Sequence, residues 1–433
     1  MKSLKLLLVL LLMQATANAQ QNNYLYRCNE KLIEIAMEDL FTPPVASRVY
    51  VYPNIAAYEV LAMGNTGLKS LSGQIKHLPA LKMENAAMPV NYSLAAEIAF
   101  TTVARKLVFT ENKVNEFEET EKKEWKNSIN DETVFQNSVA FGKQAGAQII
   151  EWMMKDNYVT VKTMQRYELF EGNDKWRPTA PEYTNALEPN WSKMRPLVMD
   201  SAGLIRPIPP TPYSEKTNSE FYKLAMDVYL LDKNCNEEQR IIASFWDCNP
   251  NISHSEGHIT VFEHRISPGG HWIKIAGQAV KNLNLDEAST AETYTLTTIG
   301  IYEGFISCWT EKYRLNTIRP ETYIQRLIDP KFLPLIQTPP FPEYPSGHSV
   351  VSATASSILM QVIPQPYSFT DSSEMYINLP ARSFNSFAEA AQEASVSRFY
   401  GGIHFMAALN NGAQQGLEIG KFVRSHLQTR KKQ

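Results

Sequence analysis

The segment Pro339-Pro340-Phe341-Pro342-Glu343-Tyr344-Pro345-Ser346-Gly347-His348, continuing as Ser349-Val350-Val351-Ser352-Ala353-Thr354-Ala355, sets a rigid extended arm directly against a helix start. The prolines bar a helix upstream, Ser346 is a capping residue, and the small residues that follow suit a tightly packed helix. A helix N-terminus presents unpaired N–H groups and the positive end of a dipole, and Gly347 has no side chain to hold an anion off the backbone. Pro345-Ser346-Gly347-His348 therefore reads as half of an oxyanion site.

The other half flanks it. Upstream, Lys312 and Arg319 are seven residues apart in Lys312-Tyr313-Arg314-Leu315-Asn316-Thr317-Ile318-Arg319-Pro320. Seven residues is about two helical turns, so the expectation is that both cations face one way, with Arg319 at the helix end before its proline. Downstream, Ser397-Arg398-Phe399-Tyr400-Gly401-Gly402-Ile403-His404 supplies a guanidinium and an imidazole. On an unbroken helix these would point about 120° apart, but Gly401-Gly402 can end the helix and let them converge. Three cations, a hydroxyl, a glycine N–H and two histidines suit a tetrahedral or trigonal-bipyramidal oxyanion of phosphate shape. Singly each fragment is commonplace, and their order and spacing carry the weight.

In this order and spacing, Lys312-x6-Arg319-Pro320, Pro345-Ser346-Gly347-His348 and Ser397-Arg398-x5-His404 resemble the signature shared by type 2 phosphatidic acid phosphatases, bacterial class A acid phosphatases and vanadium-dependent haloperoxidases. The resemblance implies an all-α helical bundle and one anion cage able to serve two reactions. As a haloperoxidase, the chain would hold vanadate with Lys312, Arg319, Ser346, the Gly347 N–H and Arg398. His404 would be the metal ligand and His348 the acid–base group. Hydrogen peroxide would then oxidise iodide or bromide to hypohalous acid, which passes to a small organic acceptor. As a phosphatase, with no cofactor, the cage would stabilise a phosphoryl transition state, His404 would attack a phosphomonoester and His348 would protonate the leaving group. A third reading, a non-catalytic oxyanion-binding protein, leaves the two histidines without a purpose. The exported haloperoxidase is favoured, because no segment could span a membrane and the chain is much longer than class A acid phosphatases. Phe341 stands where chloroperoxidase-like members carry an aromatic residue and many bromoperoxidases a histidine. One departure from the signature is that Ala408 occupies the position of the aspartate that often follows the second histidine. Asn410, Asn411 or a distant acid would have to orient the imidazole.

The rest of the chain is consistent with a large globular protein. It has 433 residues, 44% of them hydrophobic, and a net charge of −3. That near-neutral balance has no footprint for nucleic acid. Lys2, Lys5, the apolar run Leu6 to Met13 and Ala17-Asn18-Ala19 read as a cleaved signal peptide over 1–19, predicting a periplasmic or secreted protein. Residues 20–215 are expected to form an N-terminal helical region ending in a proline-rich connection, and 216–433 the catalytic helical domain. Apolar periodicity predicts helices at Lys31 to Leu40, Val45 to Met63, Leu94 to Phe109, Lys113 to Ile129, Val134 to Met154, Asn218 to Leu231, Glu237 to Trp246, Ala288 to Arg314, Phe387 to Arg398 and Ala407 to Leu427. Residues 157–215 read as a long wrapping connection in which Arg177 and Arg195 are tethers more readily than guards of an anion entrance. Residues 364–380 read as a surface excursion. Cys28, Cys235, Cys248 and Cys308 permit three disulfide pairings or four free thiols, and no motif spacing suggests zinc. His254, His258, His264 and His271 fit no familiar metal pattern, although His258 or His271 could wall the anion pocket. Homo-oligomerisation is compatible with the size, but no heptad run marks an interface.

Overall fold

A computed structural model describes residues 24–64, 67–84, 88–250, 252–256 and 259–431, so the expected leader at 1–19 lies outside the described residues. Among the described residues the chain is all-α apart from two small hairpins. In the N-terminal part, the helices are α1 (Tyr24–Glu38), α2 (Pro43–Met63), α3 (Tyr92–Arg105), α4 (Glu111–Ser128), α5 (Glu132–Met153) and the short α6 (Tyr158–Thr163). After the connection come α7 (Glu220–Asn234), α8 (Glu237–Phe245), the hairpin β1 (Ser253–Glu256) with β2 (Ile259–Phe262), α9 (Pro268–Asn282), α10 (Glu287–Leu315) and α11 (Pro320–Leu327). The chain closes with α12 (Gly347–Val362), the hairpin β3 (Phe369–Asp371) with β4 (Arg382–Phe384), α13 (Phe387–Tyr400) and α14 (Met406–His426).

Two helices, α2 and α10, are buried along nearly their whole length and pack against each other. Neither shows a polar face, the pattern of a helix surrounded by others. Helix α2 starts on Pro43-Pro44, where the missing N–H groups cost no intrahelical bond. Helix α10, about 44 Å long at 1.5 Å per residue, is capped by the Asp286 side chain accepting from the Ser289 N–H. Helices α3 and α5 pack around α2, while α12 and α14 pack on α10, and one buried apolar cluster runs through both groups.

The α12–α14 contact is unusually close because Gly412, Gly416 and Gly420 recur every fourth residue on one side of α14. A Cβ on Gly416 would lie 2.2 Å from the Val350 carbonyl oxygen. This approach seats the start of α12 beside the start of α14, where the Ser346 N–H bonds the Ala408 carbonyl at 3.2 Å.

The connection between α6 and α7 wraps the body as expected and straps the site from outside. Trp176 and Trp191 are fully buried. The Trp176 N–H reaches the Asn316 carbonyl, the Ile318 N–H reaches the Asp174 carbonyl, and the Leu187 N–H reaches the Pro340 carbonyl. Arg195 is a tether, lying over the Trp152 ring and donating to the Trp152 and Lys155 carbonyls.

The reading of 364–380 as a surface excursion needs correction. It carries the hairpin strand β3 and returns two acids, Asp371 and Glu374, to the interior. The α1 start also precedes the expected Lys31, since Tyr24, Leu25 and Cys28 already face the core. All four cysteines are free. Among the described residues, no helix is long and apolar enough to cross a membrane.

Candidate functional site

The ends of α10 and α13 meet the starts of α11, α12 and α14 around the proline arm 339–345. Lys312 lies in the last turn of α10, fully buried, and its Nζ donates to the Pro342 and Glu343 carbonyls at 2.9 and 3.0 Å. The helix ends at Asn316, which adopts a left-handed φ of 52°. Arg319 then caps α11. The two cations therefore do not share a helix face, as their spacing suggested. A turn between two helices brings them together, and Asn316 makes that turn because asparagine tolerates the left-handed conformation.

Arg319 is also fully buried. Its Nε donates to the Phe341 carbonyl at 3.0 Å, Nη1 to the Ile403 carbonyl at 2.9 Å, and Nη2 reaches toward the Pro339 carbonyl at 3.4 Å. Lys312 and Arg319 thus grip an arm whose prolines leave carbonyls but few N–H groups to be satisfied. Burial pushes Lys312 down to about 7 and Arg319 down to about 10, with Lys312 further disfavoured by the Arg319 charge and Arg319 by the Arg398 charge. An anion between them would reverse that cost.

Ser346 caps α12, its side chain accepting from the Ser349 N–H at 3.4 Å, as its position predicted. Gly347 opens the helix with its Cα turned toward Trp309 and Lys312, the neighbours a Cβ would meet. His348 is half-buried, is hydrogen-bonded to the Trp246 backbone, and has a buried Nε2 with no partner. Burial first, then the Arg398 and His271 charges, hold this ring well below the usual imidazole range, so it is neutral.

Arg398 is in the last turn of α13. Its Nη1 donates to the Trp246 carbonyl at 2.9 Å and its Nη2 lies 3.3 Å from Asp247 Oδ1, while the buried Nε is unpaired. The helix stops at Tyr400, and Gly402 takes a left-handed φ of 76° that reverses the chain toward His404. The Gly401-Gly402 break works as the sequence indicated.

The acid orienting His404 is Glu343, from the arm itself. Its Oε1 accepts from His404 Nδ1 at 2.9 Å and from the Phe405 N–H at 3.1 Å. Ala408 is buried against the arm and neither Asn410 nor Asn411 is needed for the imidazole. His404 Nε2 faces Arg319 Nη1 at 3.1 Å. A guanidinium can only donate, so Nε2 is the acceptor and the proton sits on Nδ1. Burial, followed by the Arg319, Lys312 and Arg398 charges, holds the ring well below the usual range and keeps it in this neutral form. Burial also pushes Glu343 up to about 7, against the opposing pull of Arg319 and Lys312.

A pocket opens on this cage, bounded by Gly347, His348, Arg398 and His404 on one side and by Pro43, Phe305, Trp309, Pro339 and Phe341 on the other. The Phe341 ring lies 4.9 Å from Lys312 Nζ and 5.0 Å from Arg319 Cζ, a cation–π position on both. Cys248, Asn249, Pro268 and Ile403 also line the wall. Of the two histidines considered for the wall, the His258 side chain lies outside the described residues. His271 sits behind the wall, stacked on Trp246 at 4.5 Å between ring centres.

Glu343, Trp309, Trp246, Asp247 and Cys248 were not singled out by the sequence motifs. Only Glu343 had a local signal: it is the one acid in the arm, directly before Tyr344-Pro345-Ser346.

A family model described as the VCPO second helical-bundle domain matches residues 292–432. The structure of the first bacterial vanadium-dependent iodoperoxidase superposes with a TM-score of 0.90 at 40% identity, covering 95% of this chain and 98% of that one. A holo-type bacterial vanadium-dependent chloroperoxidase gives a TM-score of 0.67 at 13% identity, covering 90% of this chain and 94% of the other, and so shares the fold. No curated protein matches the chain.

Proposed function

The chain belongs to the vanadium-dependent haloperoxidases, which are oxidoreductases, and on that premise we propose that it uses hydrogen peroxide to oxidise iodide, with bromide as a second substrate. The similarity to an iodoperoxidase along nearly the whole chain supports iodide. The single observation that carries the site assignment is the state of His404: its Nδ1 proton is held by Glu343, leaving the Nε2 lone pair inside a cage of Lys312, Arg319 and Arg398. A metal-binding imidazole needs this tautomer.

The donor set fits vanadate. Arg398 Nε and His348 Nε2 are buried without partners, and Lys312 has spent two of its three donor positions on the arm. In this reading, Lys312, Arg319, Arg398, the Ser346 hydroxyl and the Gly347 N–H hold the vanadate oxygens, and His404 Nε2 is the metal ligand. When bound, vanadate supplies the Lewis acid on which peroxide is activated toward halide, with no change of metal oxidation state. The remaining work belongs to the chain. His348, neutral and with Nε2 free, takes a proton from incoming peroxide and returns it as product forms. The cations stabilise negative charge from fixed positions. Trp309 and Phe341 line the pocket with apolar faces that limit water at the cage. Export, on the Lys2 to Ala19 segment, belongs to the same proposal.

The test is halide oxidation by purified protein, stripped and vanadate-loaded, with iodide, bromide, chloride and a parallel phosphomonoester assay. Vanadate-dependent iodide turnover exceeding bromide is expected. His404→Ala should lose vanadate affinity, whereas His348→Ala should keep it and lose about 10²–10⁴-fold in turnover. Phosphate release inhibited by vanadate, with no halide turnover, would overturn the proposal.

A further inference from the structure

We propose that Cys248, His271 and Glu374 form a binding site for a zinc-type divalent cation, directly behind the wall of the halide-oxidising pocket. The three residues come from separate places: Cys248 from the turn after α8, His271 from the first turn of α9, and Glu374 from the segment after β3. All are buried, and their ligand atoms lie within 4.8 Å of one another. Cys248 Sγ is 3.2 Å and Glu374 Oε1 is 3.3 Å from the same atom, His271 Nδ1. Tetrahedral zinc, with bonds of about 2.3 Å to sulfur and about 2.0 Å to nitrogen or oxygen, places neighbouring ligand atoms about 3.3–3.6 Å apart. The cluster is therefore already near the required size.

Two independent features favour a cation over a simple buried ion pair. Glu374 Oε1 is buried and has no hydrogen-bond partner. Also, one ring nitrogen carries either one proton or one lone pair, so it cannot fully satisfy both a thiol and a carboxylate converging on it. A cation among the three satisfies all of them at once. The opposite ring nitrogen, His271 Nε2, bonds Asp371 Oδ2 at 2.7 Å, and Asp371 is itself fixed by the Ser373 N–H at 2.9 Å. A carboxylate on the far nitrogen is the usual orienting partner of a metal-bound imidazole.

Three protein ligands leave a fourth position for water. The site would also brace the oxidation centre: His271 stacks on Trp246, whose backbone carbonyl holds Arg398 and whose backbone bonds His348. This cation site is chemically separate from the vanadate cage, since a thiolate and a carboxylate select a cation and three basic side chains select an anion.

The experiment measures zinc content of the dialysed, vanadate-free protein and the spectrum of its cobalt(II) form. One equivalent of zinc per chain is expected, unaffected by vanadate loading, with a thiolate-to-cobalt charge-transfer band in the near ultraviolet. Cys248→Ser should abolish the band, Glu374→Gln should weaken binding, and Asp371→Asn should weaken it about 10–100-fold. Because a misfolded variant would lose the band trivially, the unaltered protein supplies a second readout: once stripped of metal with a chelator, its Tm should rise when zinc is added back to saturation. Absence of stoichiometric zinc binding, a band that survives Cys248→Ser in folded protein, or an unchanged Tm would each overturn the site.

Discussion

Replacing Glu343 separates an orienting role from a chemical one. The carboxylate accepts a charge-assisted hydrogen bond from His404 Nδ1 at 2.9 Å and also takes the Phe405 N–H. Glu343→Gln keeps an oxygen acceptor for both donors but removes the charge. A bond to a charged group contributes about 1.5–3 kcal/mol and a neutral one about 0.5–1.5 kcal/mol, so the variant should bind vanadate about 10-fold more weakly. Glu343→Ala removes the acceptor and frees the ring to rotate or exchange tautomers, and the loss should reach about 100-fold, the upper range for an outer partner of a metal-bound histidine. The assay is a vanadate titration of iodide turnover paired with direct vanadate binding. Positioning predicts that the change appears in the vanadate Kd, while turnover at saturating vanadate largely recovers because His348 is untouched. An unchanged Kd in Glu343→Ala would refute the reasoning. Turnover that stays low at saturating vanadate would instead make Glu343 a participant in proton transfer.

Glu303 offers a test away from the site. It is fully buried on α10, accepts the Leu197 and Val198 N–H groups with one oxygen and leaves the other unpaired, and burial raises it from 4.5 to about 7. The folded state therefore holds this proton more tightly than the unfolded chain. Its stabilising contribution is full below about pH 4.5 and is lost as pH rises through about 7, a change on the order of 3 kcal/mol. Glu303→Gln should remove that dependence, so its Tm relative to wild type should improve between pH 5 and pH 8, and a constant difference would contradict the assignment. At the α12–α14 contact, Gly416→Ala places a Cβ 2.2 Å from the Val350 carbonyl. Chemical denaturation should show a loss of about 1–3 kcal/mol from overpacking, and no loss would mean that the helices do not approach this closely.

Features depending on a few neighbouring residues were legible before any tertiary contact was known. Ser346 caps α12 and Gly401-Gly402 end α13 because capping and left-handed turns are properties of the local backbone. The spacing argument for Lys312 and Arg319 brought the right residues together for the wrong reason, since Asn316 ends the first helix before Arg319 starts the next. The excursion at 364–380 looked exposed because its composition is polar and proline-bearing. Its acids turn inward, Asp371 onto His271 and Glu374 beside His271 and Cys248.

By itself, the order and spacing of Lys312, Arg319, Pro345-Ser346-Gly347-His348, Arg398 and His404 carried the family resemblance that implied the helical class, and the charges and donors of these residues were what pointed to an anionic ligand. Charge type, caps and breaks are written in the local chain. Only the tertiary structure decided which acid serves His404, why Lys312 and Arg319 converge, and that Cys248, His271 and Glu374 meet. Those facts depend on side chains far apart in sequence approaching through a buried medium, where unpaired polar groups are costly and partners are chosen by packing.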